Sequence, residues 1–190
     1  MKAQADIAVR AGRLVYVIGP SGAGKDSLIS YARQRLGAGR HVFARRHITR
    51  PADSGGEDHI AITPADFDLR CTKGRFALSW RGNGLGYGVG VEIDVWLDSG
   101  RHVVLNGSRG YLPSAAARYP SLLPVLIAID PAVLRQRLAA RGRETAAEIE
   151  ARIQRAMELD GIDHPALVVI ANNGPLAEAG EAFVALLRAL

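Results

Sequence analysis

Gly19-Pro20-Ser21-Gly22-Ala23-Gly24-Lys25-Asp26-Ser27 lies between the apolar run Leu14-Val15-Tyr16-Val17-Ile18 and the segment Leu28-Ile29-Ser30-Tyr31-Ala32. Strand, glycine loop and helix thus follow in the order that a phosphate-cradling loop requires. The glycines permit backbone angles and close approaches that a Cβ would block. Loop N–H groups and the positive end of the following helix then share one concavity, suited to a triphosphate. Lys25 supplies a flexible cation for the β- and γ-phosphates and for the charge of a migrating phosphoryl group. The expected ligand is ATP or GTP, held by Gly19, Pro20, Ser21, Gly22, Ala23, Gly24, Lys25, Asp26 and Ser27.

Asp26 stands where such a loop normally ends in Ser or Thr. A carboxylate beside a polyphosphate is repelled unless a cation intervenes, and Mg²⁺ favours oxygen ligands, so Asp26 and the neighbouring Ser27 hydroxyl are the metal candidates. An acidic residue in a first helical turn is also favoured by the helix dipole alone, and the residues leave both readings open.

Working outward, residues 13–18 read as a buried strand and 24–36 as a helix ending near Gly37. His41 to Ala44 form a short strand leading to Arg45-Arg46-His47-Ile48-Thr49-Arg50 and a polar loop, Pro51 to Asp58. Thr63-Pro64-Ala65-Asp66 opens a helix that ends by Gly74. Phe76 to Arg81 and Tyr87 to Val91 form strands around Gly82-Asn83-Gly84, followed by a helix from Glu92 to Ser99. Strands at Arg101 to Leu105, Leu123 to Ile129 and Leu167 to Ala171 alternate with helices at Pro131 to Ala140, Thr145 to about Leu159 and Leu176 to Ala189. Buried strands alternating with helices predict an α/β fold around a parallel sheet.

The 190 residues, 48% of them hydrophobic, fit one domain with an ample core. No apolar stretch approaches a membrane span and no leader pattern is visible, so a cytoplasmic chain without a membrane partner is expected. Cys71, the only cysteine, reads as a packing residue. The +5 charge is carried mostly by arginines gathered near phosphate-binding positions, which favours small phosphorylated ligands over nucleic acid. A homodimer is left open.

Arg137 and Arg141 share a helix face, and Arg143 follows just beyond Gly142; together they suit a closing lid that stabilises transferred phosphoryl charge. Arg152 reads equally as a lid residue or as a structural partner of Glu148. Arg46 and Arg50 lie where an open sheet gathers ligands, and guanidinium suits phosphate. His47 and His59, with no carboxylate partner visible, read as neutral polar contacts.

Gly-Pro-Ser-Gly-Ala-Gly-Lys at 19–25, Ile48-Thr49-Arg50, Tyr87-Gly88, Arg137 to Glu144 and Asn172-Asn173 fall in the order found in the guanylate-kinase-like P-loop kinases, which the chain resembles over nearly its whole length. Gly24-Lys25-Asp26-Ser27, Arg46-His47-Ile48-Thr49-Arg50, Leu78-Ser79-Trp80, Tyr87 to Asp94 and Asn106-Gly107-Ser108-Arg109 are similar, within that group, to the ribose 1,5-bisphosphate phosphokinases of phosphonate degradation. The resemblance implies a three-layer fold with an acceptor-binding insertion at about 45–99 and a lid at about 137–147. It implies phosphoryl transfer from ATP, with Mg²⁺, to ribose 1,5-bisphosphate. Catalytic roles then fall to Lys25, Arg137, Arg141 and Arg143, and acceptor contacts to Arg46, Arg50, Tyr87 and Arg109. Tyr87 reads equally as packing, and Asn172 and Asn173 either border the adenine or cap a helix. Pro51-Ala52-Asp53 and Asn106-Gly107-Ser108 replace an arginine and acidic groups of guanylate kinases, which argues against a purine acceptor. Asp26 is expected close to Asn106, compensating for the missing acid. The rival readings are guanylate kinase activity and a non-catalytic guanylate-kinase-like interaction module; retention of Lys25 and the lid arginines weighs against the latter.

Overall fold

The five residues of β1 (Leu14–Ile18) are all buried and place alternate side chains in two different cores. Val15 and Val17 pack with Leu28, Phe183 and Val184, whereas Leu14, Tyr16 and Ile18 pack with Leu78, Val89 and Leu105. Such two-sided burial is what a central parallel strand requires. The structure is a computed structural model that describes residues 12–37, 39–52, 57–142, 144–157 and 162–190.

After β1 come α1 (Lys25–Leu36), β2 (His41–Phe43), β3 (His47–Ile48), β4 (Ile60–Ala61) and α2 (Pro64–Thr72). Then follow β5 (Phe76–Gly82), β6 (Leu85–Gly90), α3 (Glu92–Asp98), β7 (His102–Asn106), a 3-10 turn (Arg109–Tyr111) and α4 (Leu112–Arg118). The chain continues through β8 (Leu123–Ala128), α5 (Pro131–Arg141), α6 (Ala146–Met157), β9 (Val168–Ala171) and α7 (Leu176–Arg188). The main sheet has the order β2-β7-β1-β8-β9 and its strands are all parallel. Helices α1 and α7 cover one face; α3 and α4 lie on the other, with the second sheet. No helix among the described residues is long and apolar enough to cross a membrane.

That second sheet, ordered β4-β3-β6-β5, is built from residues 47–90. Its hairpin turns at Asn83 and Gly84, both at positive φ (50° and 74°), the geometry of a two-residue turn matched to strand twist. Along β6 glycine alternates with larger residues. A Cβ at Gly86 would meet the Phe67 ring at 2.9 Å, and one at Gly88 would meet the Phe76 ring at 2.5 Å. The glycine face therefore receives two phenylalanines, while Tyr87 on the opposite face stacks on its cross-strand partner Trp80.

Three features depart from the sequence reading. The basic stretch does not simply trail β2: it enters the second sheet through β3, which pairs with β4, and these two-residue strands are too short to show a period. A helix, α4, occupies part of the segment before β8; it buries only Leu112 and Ala115 and lacks a side-chain cap. Cys71 is exposed and is not a packing residue, because short α2 buries Phe67 alone and turns its last residues to solvent. The extension of α6 to Leu159 and the position of Arg143 lie outside the described residues.

Candidate active site

The glycine loop connects β1 to α1 and is held from behind by Asn172, which follows β9 and is only 2% exposed. Its Nδ2 donates to the Ala23 carbonyl at 2.7 Å. Gly24 has φ 89°, and a Cβ there would lie 2.5 Å from Asn172 Nδ2, so both the loop angle and its closeness to Asn172 require glycine. The Lys25 ammonium donates to the Gly19 and Pro20 carbonyls, each at 2.9 Å, and spans the loop. Burial pushes its pKa down to about 8, with the Asp26 charge opposing the shift. A desolvated cation beside the amino end of a helix is a strong anion site.

Asp26 Oδ1 accepts a hydrogen bond of 2.7 Å from Asn106 Nδ2 at the end of β7, so the expected proximity holds. Asn106 is 6% exposed, and its Nδ2 also lies 3.5 Å from Glu57 Oε2. Asn106 pairs with Val17 in the sheet, and the segment that follows is fixed by buried Tyr16, whose hydroxyl donates to the Ser108 carbonyl and accepts from the Ser108 N–H. Burial raises that phenol to about 12, so it stays neutral.

Glu57 also receives both arms of Arg46: Nε donates to Oε1 at 2.7 Å and Nη2 to Oε2. The Arg46 guanidinium lies 5.0 Å from the Tyr87 ring centre and 5.7 Å from that of Trp80, and Trp80 stacks in turn on Tyr111. Thus Arg46 and Tyr87 meet in one wall, reached from the glycine loop through Asp26, Asn106 and Glu57. Arg50 approaches the His59 ring at 3.4 Å, while its Nε is buried without a hydrogen-bond partner. The buried His59 ring lies between the Glu57 and Arg50 carbonyls, at 2.9 and 3.1 Å, and links the two. His47 is also buried; desolvation lowers its pKa, in keeping with a neutral polar contact. A cleft of about 430 Å³ opens beside these groups, lined by Asp26, Ser27, Arg33, Glu57, Asp58 and Asn106.

Arg137 reaches the other side of the loop, where Nη2 donates to the Gly174 carbonyl at 3.1 Å. Arg141, on the last turn of α5, is exposed and is not brought to the loop, and Arg143 lies outside the described residues. Helices α5 and α6 are joined by Arg135 with Glu150 (2.6 Å), and Arg152 pairs with Glu144 (2.5 Å) just ahead of α6. Glu148 instead closes the capping box with Thr145, so the Glu148–Arg152 pair expected from spacing is replaced. Arg109 donates to the Ala156 carbonyl at 3.1 Å, and its charge, like that of Arg46, acts on Lys25; it tethers the β7 end to α6. Asn173 accepts from the Asp130 N–H at 2.8 Å ahead of α5, a structural contact.

Glu57 and its pairing with Arg46 were missed by sequence reasoning, since no spacing rule links a loop carboxylate to an arginine eleven residues earlier, just ahead of β3. The oxygen donors Asp26 and Ser27 fit Mg²⁺, a hard ion that retains water and takes phosphate oxygens as ligands. Among the described residues no group of three or more His, Cys, Asp or Glu forms a protein cage for a metal.

No family model matches the chain. It is 55% identical to a ribose 1,5-bisphosphate phosphokinase PhnN of Desulfomicrobium baculatum, with 92% of this chain and 94% of that protein covered. Identity to the proteins of the same name from Thiobacillus denitrificans and Psychromonas ingrahamii is 53% and 52%, over 93% of this chain in both and 93% and 90% of theirs. Among solved structures it resembles guanylate kinase from Anaplasma phagocytophilum with a TM-score of 0.66 and 18% identity, covering 95% of this chain and 86% of that one. A gluconokinase from Sinorhizobium meliloti gives a TM-score of 0.50 at 20% identity, with 94% of each chain covered. These two likenesses show the fold. With half the residues shared over more than nine-tenths of its length, the chain belongs to the ribose 1,5-bisphosphate phosphokinase family.

Proposed function

We propose that this protein transfers the γ-phosphoryl group of ATP to the 1-phosphate of α-D-ribose 1,5-bisphosphate, giving 5-phospho-α-D-ribose 1-diphosphate and ADP, as a step of phosphonate breakdown. An oxygen of the 1-phosphate attacks the γ-phosphorus, that P–O bond forms, and the bond to the β-phosphate oxygen breaks. Phosphate oxygens are already ionised near neutral pH, so no strong base is needed. The protein's work is positioning and charge stabilisation.

Lys25 moves from the loop carbonyls to the triphosphate, an exchange of two neutral acceptors for a charged one. Asp26 and Ser27 would hold the Mg²⁺ that accompanies ATP, which would supply neutralisation of phosphate charge there. Arg137 enters from the Gly174 side, with Arg141 and Arg143 joining as the lid closes. Arg50, whose buried Nε lacks a partner, grips an acceptor phosphate. Arg109 links acceptor and lid movement through its bond to α6.

The observation that carries the reading is the unbroken polar path from Lys25 through Asp26, Asn106 and Glu57 to Arg46, which joins a nucleotide loop to an acceptor wall. Its support in sequence is the kinship with proteins named for this acceptor. Phosphorus NMR of the reaction with ATP and Mg²⁺ tests it: a diphosphate should form at C1 while the 5-phosphate signal persists. Absence of a C1 diphosphate would overturn the assignment.

A further inference from the structure

Glu57 has no part in the transfer chemistry above, yet its side chain is only 13% exposed and sits at the centre of the site. It takes two N–H groups of Arg46, whose side chain is 10% exposed. A guanidinium already matched by a carboxylate carries little net charge toward a second anion and is a poor phosphate clamp. The same pair is well suited to a hydroxyl, because carboxylate lone pairs accept O–H and guanidinium has five N–H donors, of which Glu57 takes two.

Position narrows the hydroxyl. Asn106 Nδ2 bonds Asp26 at 2.7 Å and lies 3.5 Å from Glu57, so Glu57 is one carboxamide away from the residue adjoining Lys25. This is the side of the acceptor site nearest the migrating phosphoryl group. A second observation points to the same kind of ligand: buried Asn106 has an Oδ1 without a hydrogen-bond partner. The Glu57 carboxylate and the unsatisfied Asn106 carbonyl, on two residues that border the cleft, call for a donor. On ribose 1,5-bisphosphate the hydroxyl nearest the reacting 1-phosphate is that on C2.

Resting on the acceptor assigned above, we propose that Glu57, oriented by Arg46 and assisted by Asn106, accepts a hydrogen bond from the acceptor's 2-hydroxyl and makes the enzyme select ribose over 2-deoxyribose 1,5-bisphosphate. Arg46 is then a positioning residue for Glu57, and phosphate binding falls to Arg50. A hydroxyl bonded to a charged group that is left buried and unmatched in the analogue discriminates by about 10- to 100-fold.

The experiment compares kcat/KM for ribose and 2-deoxyribose 1,5-bisphosphate in the full-length protein and its Glu57→Gln and Glu57→Ala variants, each checked by thermal melting. The wild type should prefer ribose by about 10- to 100-fold. Glu57→Ala should bring the two acceptors within about threefold, with KM for ATP unchanged, and Glu57→Gln should fall between. If Glu57→Ala does not fold, Glu57→Gln and the wild type decide. Equal use of both pentoses by the wild type, or an unchanged ratio in a folded variant, would overturn the inference while leaving the acceptor assignment intact. A rise in the Mg²⁺ requirement with an unchanged ratio would make Glu57 a metal ligand and overturn it too. Transfer to GMP but to neither pentose would instead overturn the acceptor assignment and this inference together.

Discussion

Lys25 offers a test of the nucleotide loop that does not depend on the acceptor. Desolvation lowers its pKa to about 8, so the side chain loses charge within an accessible pH range. A polyphosphate that replaces the Gly19 and Pro20 carbonyls restores the ordinary value near 10.4, and binding must then draw a proton from solution. The neutral fraction before binding is roughly 0.1 at pH 7, 0.5 at pH 8 and 0.9 at pH 9, and proton uptake per ADP should follow these fractions. Calorimetric titration with ADP in buffers of different ionisation enthalpy reads the uptake directly. Lys25→Met should reduce it to near zero at pH 8 and 9, where the ligand's own phosphates are fully ionised. Uptake absent in the wild type at pH 9, or equal in both proteins, would refute the reasoning. The same shift fixes a sign for stability. Between the folded value near 8 and the higher unfolded value, the unfolded chain binds more protons, so this group's contribution to stability rises with pH across that window. Its penalty is full below pH 8, and Lys25→Met should remove the rise.

Asn172→Ala removes a buried 2.7 Å bond and leaves the Ala23 carbonyl without that partner; a loss of about 1–3 kcal/mol, read by denaturant unfolding, is expected together with weaker ADP binding. Unchanged stability would contradict the role given to Asn172. Gly88→Val would place a Cβ 2.5 Å from the Phe76 ring, and should cost about 1–3 kcal/mol while raising KM for the pentose acceptor. Loss of ATP affinity with an unchanged acceptor KM would place the damage elsewhere. Arg137→Ala should lower kcat by about 10²- to 10³-fold with the melting temperature retained, and an unaltered kcat would remove this arginine from transition-state stabilisation.

The fold was legible wherever one local cause was sufficient. The run Leu14 to Ile18 is continuously apolar and became the central strand. Thr145 with Glu148 formed the capping box implied by their spacing. Asn83-Gly84 turned the hairpin, and Thr63 capped the helix begun by Pro64. What was hidden depended on distant partners. Strands β3 and β4 have two residues each and exist because β6 and its hairpin give β3 a neighbour. Helix α4 carries only two buried residues, too few for a visible period. Helical spacing also failed to predict that Arg152 would choose Glu144 over Glu148, whose carboxylate was already committed to its cap.

The site divides in the same way. The glycine loop, Lys25 and the nearness of Asp26 to Asn106 could be anticipated because a known loop geometry fixes one side and the end of a parallel strand the other. Arg46 was found as a residue but not as half of a pair, because Glu57 is placed by a contact of its carbonyl with the His59 ring. Arg109 was named from its motif, and its hydrogen bond to a carbonyl of α6, 47 residues away, could not be read there.

In the proposed reaction this nucleotide loop serves a sugar phosphate acceptor and not a purine nucleotide. The most direct test is kcat/KM for ribose 1,5-bisphosphate and for GMP, measured by ADP release with ATP and Mg²⁺. Ribose 1,5-bisphosphate should be preferred by at least about 10²-fold; equal use of the two, or preference for GMP, would make a purine nucleotide an acceptor.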